Sequence, residues 1–245
     1  VLLTFVLLTV EGSRRLAANL TVWDCPIPTR TPADVGIATY ETTQIQLQPD
    51  QVLTAWYIPS QNGASVLLLQ GHWAGRDGML AEAQILTRHG YGVMLLDPHP
   101  CAGSEVVHTM GYAEVSDVAA AVKFMRQRPD VVGSKIGVFG FSIGGVIAIE
   151  SAARIPDIQA VIAEGNFDKL TTNITPRVAR GSVMGGLVQA LVRLFYRYYT
   201  GVEPDQVKPI DSVVEISPRP VLFIAGEGEI EANRTLAQYE AAGQP

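Results

Sequence analysis

The sequence predicts an α/β domain: a doubly wound, mostly parallel sheet with an antiparallel hairpin on its N-terminal side. Three observations predict it. Short, continuous apolar runs alternate with segments of helical spacing from Ser65 onward. Such runs are what strands buried on both faces require. Ahead of them, two segments of strict polar–apolar alternation follow each other closely, which is a hairpin pattern. Finally, 245 residues at 47% hydrophobic content supply one large core.

The elements follow in order. "TTQIQLQ" (42–48) and "VLTAWYI" (52–58) are the hairpin strands. "SVLLLQ" (65–70) is the first fully buried strand, and residues 78–88 read as a helix. "GVMLLD" (92–97) is a strand and "YAEVSDVAAAVKFMRQ" (112–127) a helix with apolar residues on one side. "KIGVFG" (135–140) and "IGGVIAIESAARI" (143–155) form the next strand–helix pair. "AVIAE" (160–164) and "VLFIAG" (221–226) are further strands. Alternation of this kind makes a parallel sheet with helices on both faces. The core domain is expected over residues 41–245, with an insertion at about 166–215. Within that insertion "VMGGLVQALVRLFYRYYTG" (183–201) is amphipathic and aromatic. It reads either as a lid over a site or as a helix packed on the sheet edge.

Both ends read as cut. The chain opens at Val1 on "VLLTFVLLTV", followed by Glu11, Arg14 and Arg15. Ten apolar or weakly polar residues are too few to cross a bilayer, which takes about 20. Residues 1–18 are read as the remnant of a signal peptide or membrane anchor, a buried or disordered chain end being the other reading. That implies attachment through the N-terminus or export, and a cytoplasmic protein otherwise. Residues 19–40, with Pro26, Pro28 and Pro32, read as a linker. Formal net charge is −6 and no basic stripe occurs, which argues against nucleic acid as a partner. Cys25 and Cys101 lack metal or disulfide-framework spacing and are expected to be small packing residues.

The chemistry concentrates at Gly140-Phe141-Ser142-Ile143-Gly144. Gly-x-Ser-x-Gly by itself is common. Here it falls where a buried strand hands over to a helix, as a nucleophile elbow requires. The turn strains the serine, and a side chain at either flanking glycine would strike the neighbouring strand or helix. Ser142 is thus the expected nucleophile, with Gly140 and Gly144 making the elbow.

From this point the chain resembles the α/β-hydrolase superfamily, in particular its serine aminopeptidase-like and dienelactone hydrolase-like branches. The motifs are "LLLQGHWAGRDGM", "GYGVMLLDPHPCAGS" and "GFSIGG", in that order. The resemblance implies a serine hydrolase cleaving an ester, thioester or amide through an acyl-enzyme, with no metal or organic cofactor. It implies an oxyanion hole from the backbone N–H groups of Ile143 and His72. Gln70 stands where the family has histidine. The His72 imidazole either faces the pocket or lies in a solvated loop. The turn "GEGEIE" resembles the family's acid turn, which places the acid on Glu229, with Glu227 the alternative. Asp97 is expected to hold loop structure.

The family's base histidine should follow the acid. All four histidines, His72, His89, His99 and His108, precede Ser142. The expectation is a chain whose final strand, helix and base are missing, and which is inactive by itself. The other reading is a non-catalytic binding protein on the same fold. The partner in the first case is a small ester or amide, with the aromatic insertion pointing to an apolar group.

Overall fold

The structure is a computed structural model, and it describes residues 2–23, 27–49, 51–97, 106–133, 135–174 and 183–243. Its first element is helix α1 (Leu2–Thr21). Glu11 pairs with Arg14 and Arg15 at helical spacing, at 2.8 and 2.7 Å. The helix runs on to Thr21, into the stretch expected as linker. Strand β1 (Val22–Trp23) pairs antiparallel with β6 (Val106–Val107). The hairpin follows as β2 (Glu41–Gln48) and β3 (Gln51–Ile58).

Next come β4 (Ser65–Leu69), α2 (Leu80–Arg88) and β5 (Gly92–Leu96). Helix α3 (Glu114–Arg126) carries Glu114 and Asp117 in its first turn and Lys123 and Arg126 in its last, complementing the helix dipole. Strand β7 (Ile136–Phe141) leads into α4 (Ile143–Arg154), and β8 (Ile158–Glu164) follows. The insertion supplies α5 (Leu170–Asn173), α6 (Val183–Thr200) and α7 (Pro209–Ser212). Strand β9 (Val221–Ile224) and α8 (Glu229–Ala241) complete the described chain.

The main sheet has seven strands in the order β2-β3-β5-β4-β7-β8-β9. Strands β5, β4, β7, β8 and β9 are mutually parallel, and β3 joins β5 antiparallel. The hairpin, the parallel sheet and the flanking helices are those expected from the sequence. Leaving β4 the chain turns one way to β5. It then returns to β7 on the other side of β4. The carboxyl ends of β4 and β7 therefore flank a topological switch point, where open α/β sheets place ligands.

Three apolar clusters hold this frame. One face of the sheet packs Leu67, Met94 and Val138 against Val122 and Met125 of α3 and Ile149 of α4. The other face packs Leu68, Leu95 and Phe139 under Leu80 and Ala83 of α2. The third cluster lies beyond the strand ends. It joins Ala17 of α1 to Val192 and Tyr196 of α6, with Ile143, Val146, Phe167 and Leu170 beneath. Arg14 donates to the Tyr199 hydroxyl at 3.2 Å.

The second half of the opening segment is thus part of the domain. None of the described helices is long and apolar enough to cross a membrane, so the expected membrane anchor finds no support among the described residues. Cys25, Cys101 and His99 lie outside the described residues.

Candidate active site

Ser142 sits between the last residue of β7 and the first of α4, at φ 54° and ψ −115°. A positive φ in a residue with a Cβ is strained and persists only where the surroundings impose it. Two glycines make it feasible. A Cβ on Gly140 would overlap the Gly144 carbonyl, and a Cβ on Gly144 would overlap the Leu69 carbonyl. Both obstacles are backbone and cannot swing aside. The Ser142 N–H donates to the Glu164 carbonyl at 2.7 Å, which ties the turn to the end of β8.

The loop after β4 lies against this turn. A Cβ on Gly71 would come 3.0 Å from the Phe141 ring and 3.5 Å from the Ser142 Cβ. His72 follows, then Trp73 at φ 61°. The two rings stack with centroids 4.3 Å apart. Ile143 opens α4, and first-turn amides have no acceptor within their own helix. His72, Ser142 and Ile143 line one pocket of about 180 Å³, together with Leu20, Met110, Phe167, Asn166, Asn173 and Arg234. His72 is half-buried, with its Nε2 buried. Burial, with a smaller contribution from the charge of His108, pulls its pKa down to about 4. It is neutral at pH 7.

The other histidines fall elsewhere. His89 follows the end of α2. His108 is buried, with Nδ1 3.4 Å from Glu114. That carboxylate also accepts from the Thr109 and Gly111 amides at 2.7 and 2.9 Å. Burial pushes Glu114 up, but the His108 and Thr109 hydrogen bonds outweigh it and hold the carboxyl well below its ordinary value. This knot fixes the loop in front of α3. Asp97 is buried against the Arg76 guanidinium and holds the loop after β4, as expected.

The acid candidates stand at the far end of the sheet. Strand β9 pairs in register with β8, and the Gly165 amide donates to the Ile224 carbonyl at 2.9 Å. Glu227 is exposed on the turn after β9. Glu229 opens α8, and its side chain lies outside what is described.

Of the pocket residues, sequence reading singled out only His72, Ser142 and Ile143. Leu20 comes from α1, Asn166 from the turn after β8, and Arg234 from α8. Arg234 lies 3.6 Å from Asp168. No motif marks these positions. Only the general rule that strand carboxyl ends carry sites could have pointed to Asn166, two residues beyond β8.

A dienelactone hydrolase family model matches residues 99–182, the span that holds Ser142. Among curated proteins the chain is 27% identical over 207 residues to the α/β-hydrolase domain-containing protein WAV2 of Arabidopsis thaliana, covering 80% of this chain and 63% of that one. It is 26% identical over 111 residues to the thiohydrolase aneE of Aspergillus aculeatus, covering 44% and 35%. The chain thus spans from about a third to just under two thirds of the length of these relatives. Among solved structures, the Pyrococcus furiosus esterase Pf2001 superposes with a TM-score of 0.69 at 22% identity, over 89% of this chain and 83% of the other. At that identity the likeness is one of fold.

Proposed function

We propose that this chain, which belongs to the α/β-hydrolase superfamily, is a serine hydrolase that cleaves a carboxylic ester, thioester or amide through an acyl-enzyme on Ser142. The observation that carries the reading is the backbone of Ser142. A strained serine, wedged between two glycines that cannot be replaced and opening into a pocket at the switch point, has no purpose in packing. The thiohydrolase likeness and the dienelactone hydrolase family match support the reaction class.

In this reading the Ser142 Oγ attacks the carbonyl carbon while its proton leaves to a base. The carbonyl oxygen becomes an oxyanion, held by the Ile143 and His72 amides at the head of α4 and in the loop after β4. Collapse expels the alcohol, thiol or amine with a proton, and water then releases the acid. Glu229 is the orienting acid of this proposal, with Glu227 the alternative. The base is the member these residues leave unfilled, since every histidine precedes Ser142 while the fold's triad order sets the base after the acid. Turnover by residues 1–245 alone is therefore expected only at the level left by the oxyanion and binding groups, about 10³–10⁴ above water.

The test is prolonged covalent labelling with a fluorophosphonate, read by mass spectrometry, because a serine whose base is unfilled reacts slowly. Ser142 should carry the adduct, and Ser142→Ala should carry none. An adduct elsewhere, or none on the intact chain, would favour a binding protein on the same fold.

A further inference from the structure

The pocket beside Ser142 takes one wall from the opposite end of the chain. Leu20, in the last turn of α1, lines it together with Met110, Ile143 and Phe167. Leu20 is also half-buried against the apolar cluster that holds the other three. The four make an apolar corner next to the elbow. Helix α6 supplies none of the lining among the described residues. It backs α1 instead. Its Val192 and Tyr196 pack in the cluster with Ala17, and Arg14 donates to its Tyr199 hydroxyl at 3.2 Å.

The corner is tied down on both sides. The Thr21 hydroxyl donates to the Ala17 carbonyl at 2.9 Å. The Thr21 carbonyl accepts from the His108 amide at 2.6 Å, and β1, which follows at once, pairs with β6. Across from this, the Tyr196 hydroxyl donates to the Thr109 carbonyl at 2.7 Å, beside Met110. Leu20 thus sits on a held backbone and retreats less readily than a loop residue. A wall fixed in this way discriminates by length, because a methylene too many in an apolar pocket costs about tenfold or more. The pocket, at about 180 Å³, is also smaller than the roughly 300–1,000 Å³ of sites for drug-sized ligands.

We propose that Leu20 sets the length of the acyl chain the site accepts, which makes the N-terminal helix a wall of the active site and the substrate a short-chain acyl compound. This rests on the reading of Ser142 as the nucleophile and narrows it to a class. The apolar corner suits the acyl part, which stays bound through both steps of an acyl-enzyme mechanism, whereas the leaving group has to depart and give way to water. Each methylene buried in the corner is worth about fourfold in affinity, until the chain reaches Leu20. Helix α6 and the β1–β6 pair act as positioning elements that hold α1 in place.

The experiment uses the Ser142→Ala chain, so that no turnover enters, and ligand-observed NMR with acetamide, butyramide, hexanamide and octanamide. Affinity should rise with length, reach a limit within the series and fall about tenfold at the next member. In Ser142→Ala/Leu20→Ala that first excluded amide should bind about tenfold tighter than it does to Ser142→Ala. Asn19→Ala, a change at the exposed neighbour on the same helix turn, should leave the limit where it was. A rise through octanamide without a limit, no binding by any amide, an unmoved limit in Leu20→Ala, or the same move in Asn19→Ala overturns the proposal. Where Leu20→Ala does not fold, Leu20→Val replaces it. One methylene is then removed, and the excluded amide should gain about fourfold. The labelling experiment separates the two ideas. A labelled Ser142 with an unmoved limit sinks only the Leu20 assignment, and a moved limit without labelling sinks only the hydrolase reading.

Discussion

At Ser142, φ 54° costs on the order of 1–3 kcal/mol for a residue with a Cβ. Glycine adopts that region freely but gives back about 0.5–1 kcal/mol through the unfolded chain. Ser142→Gly should therefore be more stable than Ser142→Ala by about 1 kcal/mol, as read from urea midpoints. A glycine variant no more stable than the alanine one would show that the turn is not strained. His72 carries a second expectation. Its folded pKa of about 4 lies below its ordinary 6.5, so the unfolded state binds the extra proton between those values. Its contribution to stability is complete above pH 6.5 and is lost as the pH falls toward 4. His72→Gln should flatten the stability profile in that window and leave it unchanged above pH 7. A profile that stays as steep in the variant would assign the window to another group.

The elements show which patterns the sequence states openly. Strands β4, β5, β7 and β8 are legible because a strand buried on both faces has to be apolar throughout. The elbow is legible because two fixed glycines have no other solution at that turn. Helix α1 was harder to see. Its apolar opening draws attention to membranes, while the signal for a helix was the pairing of Glu11 with Arg14 and Arg15. Asn166 and the α1–α6 contact depend on segments far apart in sequence, and no local spacing encodes them. Glu150 of α4 is a further case, a carboxylate buried in a largely apolar helix. It accepts from the Lys208 amide at 3.0 Å and from the Ser212 hydroxyl at 2.8 Å, and pairs with Arg154 at 2.7 Å. It thereby clamps the returning end of the insertion to the helix that carries Ser142. Glu150→Ala leaves the half-buried Lys208 amide and Ser212 hydroxyl without this acceptor and should cost about 2 kcal/mol in chemical denaturation. A loss below about 0.5 kcal/mol would mean that water reaches these donors and the clamp is superficial.

At the scale of the whole molecule the two sides of β9 are treated differently. Val221 and Phe223 pack on the cluster under α3 and α4. Leu222 and Ile224, on the opposite side, are 55% and 36% exposed. Strand β9 is also the edge of the seven-stranded sheet, so apolar side chains and unpaired backbone groups occur together there. That combination templates pairing with another sheet edge. The net charge of −6 keeps molecules apart at long range but is screened beyond about 10 Å at 0.1 M salt, and no acidic side chain interrupts Val221–Ile224 itself. The chain of residues 1–245 should therefore associate through β9, more so as salt is raised. Leu222→Glu places a charge at the edge without touching the inward side. It should lower light scattering at 0.3 M salt severalfold, while leaving the thermal midpoint and the fluorophosphonate labelling of Ser142 unchanged. Val221→Glu, the neighbour that faces the core, should instead lower the thermal midpoint, because it buries an unpaired carboxylate. If Leu222→Glu scatters as strongly as the parent with the same thermal midpoint, association runs through another surface. The exposed apolar residues Leu187, Leu194 and Tyr198 of α6 are then the next to change.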